Sequence, residues 1–169
     1  MNQILLQYCT YKDFFKVLPI LETYSNIFDF QEKRIIIQEA SKALDEAFEA
    51  NTLYIATSEG QVVGFLGGRR NRNNPFRLDL FCMVVKRGYD GQGIGTQMFT
   101  HACLDLAKHG FTEIYAKLKS TYPPHTKKFY QKLGFKQTFD EEFTGASSDD
   151  TAMVLKLNKV DLPKQLIVD

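Results

Sequence analysis

The sequence predicts an α/β fold in one domain, and three observations carry that prediction. A chain of 169 residues, 44% of them apolar, is long enough to bury one proper core. Its apolar runs switch repeatedly between strand-like and helix-like spacing. Between the most apolar run, LDLFCMVV, and a following amphipathic segment lies GYDGQGIGTQMF, a glycine-rich turn of the kind that joins a strand to a helix.

The opening ILLQYC suits a short strand, and Thr10 or Asp13 can cap the helix that begins in YKDFFKVLPILETY. Phe14, Val17, Leu18 and Leu21 recur there at helical spacing, and Pro19 is expected to kink or divide the segment. A second helix is expected from about Phe30 to Phe48, with Ile36, Ala40, Leu44 and Phe48 on its apolar stripe and Gln38, Lys42 and Glu46 opposite. NTLYIATSEGQVVGFLGG holds two apolar runs joined by Ser58-Glu59-Gly60, which is hairpin chemistry. RRNRNNPF reads as a loop broken at Asn74-Pro75. LDLFCMVV has the look of a central strand covered on both faces. Ile94, Met98, Ala102 and Leu106 mark a helix after the glycines, stopped by Lys108-His109-Gly110. A strand in EIYAKLK, a short helix near HTKKFYQKL closed by Gly134, a strand from Phe135 and a last strand in TAMVLKLN complete the order. The expected domain spans residues 1–160, with 161–169 as a C-terminal tail.

Charge and composition exclude several function classes. Lys plus Arg is 21 against 20 for Asp plus Glu, a net charge of +1, so no positive field points to a nucleic acid. The start MNQILLQYCT lacks a basic stretch followed by an apolar one, and no later apolar run approaches the about 20 residues of a bilayer span. A soluble, cytoplasmic protein with no membrane partner is expected. Cys9, Cys82 and Cys103 are widely spaced with no CxxC, which suits a reducing compartment and offers no metal framework. Cys82 and Cys103 are expected in the core.

Gly91, Gly93 and Gly95 stand at alternate positions where the chain turns from strand to helix. Such a turn presents free N–H groups beside the positive end of a helix dipole, which together bind phosphate oxygens. A tight turn with no ligand accounts for the glycines equally well. A nucleoside-triphosphate loop needs Gly-Lys-Ser/Thr, whereas Gly95-Thr96 has no lysine between. A dinucleotide fingerprint needs GxGxxG near an N-terminal βαβ unit, and here the spacing is GxGxG. A nicotinamide-dependent oxidoreductase would rest on the glycines alone.

The stretch from Val85 to Thr96 resembles the acyl-CoA loop of the GNAT superfamily of N-acetyltransferases. The core pattern of that loop, [QR]-x-x-G-x-[GA], falls on Asp90, Gly91, Gln92, Gly93, Ile94 and Gly95. TKKFYQKLGF is similar to the family's second signature, FY-x-x-LGF, and the order of elements matches the family over most of the chain. The resemblance implies a GNAT-like mixed, mostly antiparallel central sheet flanked by helices. It implies an N-acetyltransferase that moves an acetyl group from acetyl-CoA to a primary amine by direct attack. Met83 and Val85 would hold the pantetheine arm by main-chain bonds, and Gly91, Gln92, Gly93, Gly95 and Thr96 would hold the rest of the cofactor. Tyr130, the tyrosine of the second signature, would protonate the departing thiolate; otherwise it is a core aromatic beside Phe129 and Leu133. A non-catalytic acyl-CoA-binding module is the alternative to an enzyme.

The chain departs from the family pattern at Asp90, where glutamine or arginine is preferred. A carboxylate about 4 Å from a phosphate costs roughly 1 kcal/mol in water and roughly 4 kcal/mol at an effective dielectric of 20, so its direction matters. Pro123 and Thr126 stand where the family often has Asn and Ala. Lys86, Arg87, Lys127 and Lys128 flank the motifs, as compensating charge or as solvated surface. A lysine-like amine of pKa about 10.4 is neutral in about one molecule in 2,500 at pH 7, so a base, a water chain or desolvation must help. Asp79, the only carboxylate in LDLFCMVV, is the candidate base; it lies near the start of that strand, where the alternative is a carboxylate that simply faces water. His101, His109 and His125 have ordinary helix or surface explanations. Asp140, Glu141, Glu142, Asp149 and Asp150 form an acidic cluster between the last two strands, either bordering a groove for a cationic amine or simply solvated. The expected partner is a small-molecule or peptide amine, and the sequence leaves monomer or homodimer open.

Overall fold

The computed structural model describes residues 3–47, 50–139 and 149–157. Thr10 and Asp13 share a reciprocal capping box that starts α1 (Tyr11–Glu22), after β1 (Ile4–Tyr8). Pro19 neither ends nor divides α1. Its side chain and that of Phe15 are exposed, so the carbonyl that Pro19 cannot satisfy lies on the water side, while Phe14, Val17, Ile20 and Leu21 keep the other face buried. Asp29 and Glu32 form a second capping box at the start of α2 (Phe30–Asp45), which buries Ile36, Ala40 and Ala43 and ends before the expected Phe48, a residue outside those described.

β2 (Leu53–Ser58) and β3 (Gln61–Arg70) form the expected hairpin, with Glu59 and Gly60 both in the left-handed region at φ 50° and 76°. There follow β4 (Arg77–Val85), α3 (Ile94–Lys108), β5 (Glu113–Leu118), α4 (Pro124–Lys132), β6 (Lys136–Thr138) and β7 (Thr151–Lys156). The seven strands make one sheet in the order β1-β2-β3-β4-β5-β7-β6, antiparallel throughout except for β4 against β5. α1 and α2 cover one face over a core that includes Phe65, Cys82 and Val84. α3 and α4 cover the other over Leu78, Met98, Phe99, Ile114 and Met153. Cys9, Cys82 and Cys103 are all free and buried.

The expectation of a fully covered β4 is corrected. Leu78, Cys82 and Val84 are buried, but Leu80, Phe81, Met83 and Val85 are only half-buried, because β4 loses its neighbour partway along. That loss positions the site. No helix among the described residues is long and apolar enough to cross a membrane.

Candidate active site

β4 and β5 pair only from Arg77 to Leu80 against Glu113 to Ala116. Beyond that point β4 stays with β3 as far as Val85 while β5 stays with β7 as far as Leu118, and the two strands part. A bulge marks the place: Cys82 pairs with Gly67 and Leu80 with Gly68, leaving Phe81 unpaired. Bulges sharpen local twist and bend the strand that carries them. Gly67 is required opposite, since a Cβ there would sit 2.7 Å from the Phe81 ring. A cleft of about 300 Å³ fills the gap. Lys86 donates its N–H to Val63 O at 2.8 Å, so alternation turns the main-chain groups of Met83 and Val85 away from β3 and into the gap. The Tyr24 hydroxyl already reaches Val85 O there, at 2.5 Å.

Gly95 lines the cleft, and Gly91, Gln92, Gly93 and Thr96 are exposed beside it along the chain. Gly91 and Gly93 adopt φ of 72° and 76°, a region that other residues enter only with strain. Gly93 caps α3 with no side-chain bond, and the first turn carries no acidic residue, so the leading N–H groups stay available to an anion. Asp90 lines the cleft, where its carboxylate accepts from Gly88 N–H at 3.2 Å and lies 3.4 Å from the Tyr24 hydroxyl, whose proton is directed at Val85 O. Arg87 donates to Thr23 O and Asn26 Oδ1 and lies 4.8 Å over the Tyr24 ring. The α1–α2 connection is thereby fastened to the glycine loop.

Tyr130, on α4, lines the cleft at 8% exposure and packs edge-on against Phe129 and Phe135. Its hydroxyl has no hydrogen-bond partner among the described residues. Burial above all, with Cys82 and Tyr122 adding to it, pushes the phenol well above its ordinary value, so it stays protonated at neutral pH. Tyr122 meets Phe28 edge-on across the cleft, and Glu32 of α2 pairs with Lys119. Tyr24, Phe28 and Tyr122 are wall residues that sequence reasoning missed. Nothing in their local pattern announces that the α1–α2 connection docks against the β5–α4 connection.

Asp79 lies elsewhere. Because of the bulge it shares the α1–α2 side of the sheet with Phe81 and Cys82, while Met83 and Val85 pack toward α3. It lines a second cavity of about 360 Å³, which adjoins the cleft at Leu80 and Phe81 but does not include Tyr130. Its carboxylate accepts from Asn71 Nδ2 at 2.8 Å and from Arg77 Nε at 3.1 Å. Burial nevertheless holds it above the usual aspartate value, against the opposing pull of Asn71 and Arg77, although 44% of the side chain remains exposed. His125 lines the cleft; His101 packs on Tyr54, and His109 bonds Asp105 O. Asp150 accepts from Ser120 N–H and lies 3.7 Å from Lys117, so its charge is locally answered. Asp140, Glu141 and Glu142 lie outside the described residues. Among the described residues no group of three or more His, Cys, Asp or Glu side chains could hold a metal ion.

Known folds match this architecture. An acetyltransferase of the GNAT family from Staphylococcus aureus superposes with a TM-score of 0.71 at 17% identity, over 92% of this chain and 100% of its own. PaiA N-acetyltransferase from Thermoplasma acidophilum, in complex with coenzyme A, gives 0.70 at 17% identity over 91% and 99%. Diaminobutyrate acetyltransferase EctA from Paenibacillus lautus, in complex with L-2,4-diaminobutyric acid and coenzyme A, gives 0.65 at 18% identity over 92% and 96%. At such identities the likeness is one of fold. A search of curated protein sequences finds no match. The family profile described as "Acetyltransferase (GNAT) domain" matches residues 49–137, from before β2 through the glycine loop and the FYQKLGF stretch. That match spans more than half of the chain, which therefore belongs to the GNAT acetyltransferase family.

Proposed function

We propose that the chain is an acetyl-CoA-dependent N-acetyltransferase for a primary amine, built as one domain over residues 1–160. The observation that carries this reading is the gap between β4 and β5, which runs from the uncapped start of α3 to a buried tyrosine hydroxyl with no hydrogen-bond partner among the described residues. The residues fit the cofactor. Glycines at positive φ with free N–H groups suit a pyrophosphate, and main-chain groups of Met83 and Val85 facing the gap suit an amide-bearing arm. Asp90 is turned onto Gly88, so its carboxylate has a partner of its own. Coenzyme A in the PaiA and EctA structures supports the assignment.

Bound acetyl-CoA supplies an activated thioester. The amine lone pair forms the new C–N bond as the C–S bond breaks, and Tyr130 gives its proton to the leaving sulfur, with solvent restoring it. Asp79, which burial in the adjoining cavity holds above its ordinary aspartate value, takes the proton that the amine loses.

Tyr130→Phe tests the reading. Because the hydroxyl bonds no other group among the described residues, its removal should leave stability and acetyl-CoA affinity within about twofold, while kcat falls by roughly 100-fold or more, the scale of general acid catalysis. Calorimetric titration and a CoA-release assay read the two separately. An unchanged kcat would remove Tyr130 from the chemistry. A native protein that binds acetyl-CoA but acetylates no amine would be a cofactor-binding module.

A further inference from the structure

The second cavity holds charges that do not balance once their partners are counted. Glu39 is held by Arg69 Nη1 at 2.9 Å, and Arg69 Nη2 goes on to Glu46 at 2.7 Å. Asp79 is held by Arg77 and Asn71. The Arg70 guanidinium lies 4.2 Å over the Phe111 ring and donates to the Pro75 carbonyl. Arg72 also lines the cavity, is exposed, and has no ion-pair or hydrogen-bond partner for its guanidinium among the described residues.

The β3–β4 loop that presents Arg72 is nonetheless fixed. Asn71 donates its N–H to Arg77 O at 2.9 Å, its Oδ1 accepts from the N–H groups of Asn73 and Asn74, and its Nδ2 reaches Asp79. The loop's main anchor and the carboxylate beside the cleft are thus joined by one hydrogen bond, one residue away from the free cation. A ligand entering here meets a proton acceptor and a guanidinium with no ion-pair partner among the described residues, in a pocket whose walls Leu80 and Phe81 also line the cleft.

We propose that this cavity is the acceptor subsite and that the acceptor is an amine that also bears a carboxylate, with the amine at Asp79 and the carboxylate on Arg72. The inference rests on the acetyltransferase reading and narrows its substrate class. A guanidinium takes a carboxylate by two parallel hydrogen bonds, stronger and more directional than an ammonium can offer. A polycation would instead bring its second charge against Arg69, Arg70 and Arg72. A cavity of about 360 Å³ is ample for an amino-acid-sized molecule.

Matched pairs of acceptors that differ only in the carboxylate provide the test: lysine against cadaverine, ornithine against putrescine, phenylalanine against phenethylamine. Acetyl-CoA binding is measured first by calorimetry, and initial rates follow for each pair with native protein, Arg72→Ala and Arg72→Lys. The expected result is a kcat/KM at least about tenfold higher for the carboxylate-bearing member of a pair, the scale of one charge-assisted hydrogen bond. Arg72→Ala should bring that ratio close to one, and Arg72→Lys should restore part of it. Arg72 is on an exposed loop, so its truncation does not threaten folding. Equal or better turnover of the decarboxylated amines, a ratio untouched by Arg72→Ala, or acetyl-CoA binding with no turnover of any carboxylate-bearing amine would each overturn the inference while leaving the cofactor assignment standing. Absence of acetyl-CoA binding would overturn both.

Discussion

On the proposed function, Gly95 is where the needs of a cofactor and those of the fold can be separated by experiment. It is the second residue of α3, with ordinary helical geometry, and a Cβ there would lie 3.5 Å from Phe129 and 3.6 Å from Val85, both normal contacts. Alanine therefore fits the protein, and it favours the helix by roughly 0.5–1 kcal/mol over glycine. The added methyl projects among residues that line the cleft. Gly95→Ala should leave the melting temperature unchanged or raised while weakening acetyl-CoA by about tenfold or more, the scale of one extra methylene in a binding pocket. Thermal melting and calorimetry check the two halves; unaltered affinity would take Gly95 out of the cofactor contacts. That positions 91 and 93 form a turn needing glycine was legible because the motif is local, and both adopt positive φ. The relation of Asp79 to Met83 and Val85 was not. Spacings of four and six residues along a strand put all three on one face, and only the unpaired Phe81 turns Asp79 to the other.

Among the elements, α2 helps to tie the cleft walls together through Glu32. Its capping box has Asp29 Oδ1 accepting from Glu32 N–H and Glu32 Oε2 accepting from Asp29 N–H, both at 2.9 Å, while the other Glu32 oxygen pairs with Lys119 across the cleft. Asp29→Ala should lower stability by about 1 kcal/mol, the usual worth of an N-cap, as a shift of the urea midpoint. A midpoint unmoved by the substitution would mean that tertiary packing alone fixes the start of α2. Caps such as Thr10, turns such as Glu59-Gly60 and stops such as Gly110 are local chemistry, and the elements they bound could be read from the sequence almost in full. Pro19 and β4 could not. Whether a proline breaks a helix depends on which side faces water, and whether an apolar strand is covered depends on where its neighbour leaves it, and both are decided by packing from distant parts of the chain.

At the scale of the whole molecule, covering both faces of one sheet buries phenols and thiols along with the aliphatic core, and this makes the fold sensitive to alkali. Cys9 is pushed up to about 12, by burial first and by Asp13 second, and Tyr8, still 39% exposed at the sheet edge, to about 12 by partial desolvation together with its bond to Asp105. Burial drives Tyr54, Tyr122, Tyr130, Cys82 and Cys103 higher still. In the unfolded chain a cysteine ionises near about 8.5 and a tyrosine near about 10. Above those values the unfolded state releases protons that the folded state keeps. Since the unfolded state then binds fewer protons, stability must fall as pH rises. The contribution of these groups is complete below about pH 8.5 and is lost progressively as pH climbs through 9 toward 12. The urea midpoint should therefore stay level between about pH 7 and 8 and decline with increasing slope from about pH 9 to 11. The same burial predicts that none of the three cysteines reacts with a thiol reagent at pH 8 until the chain unfolds. A midpoint level up to pH 11, or prompt modification of the folded protein, would mean that the two cores admit water where the packing leaves no room for it.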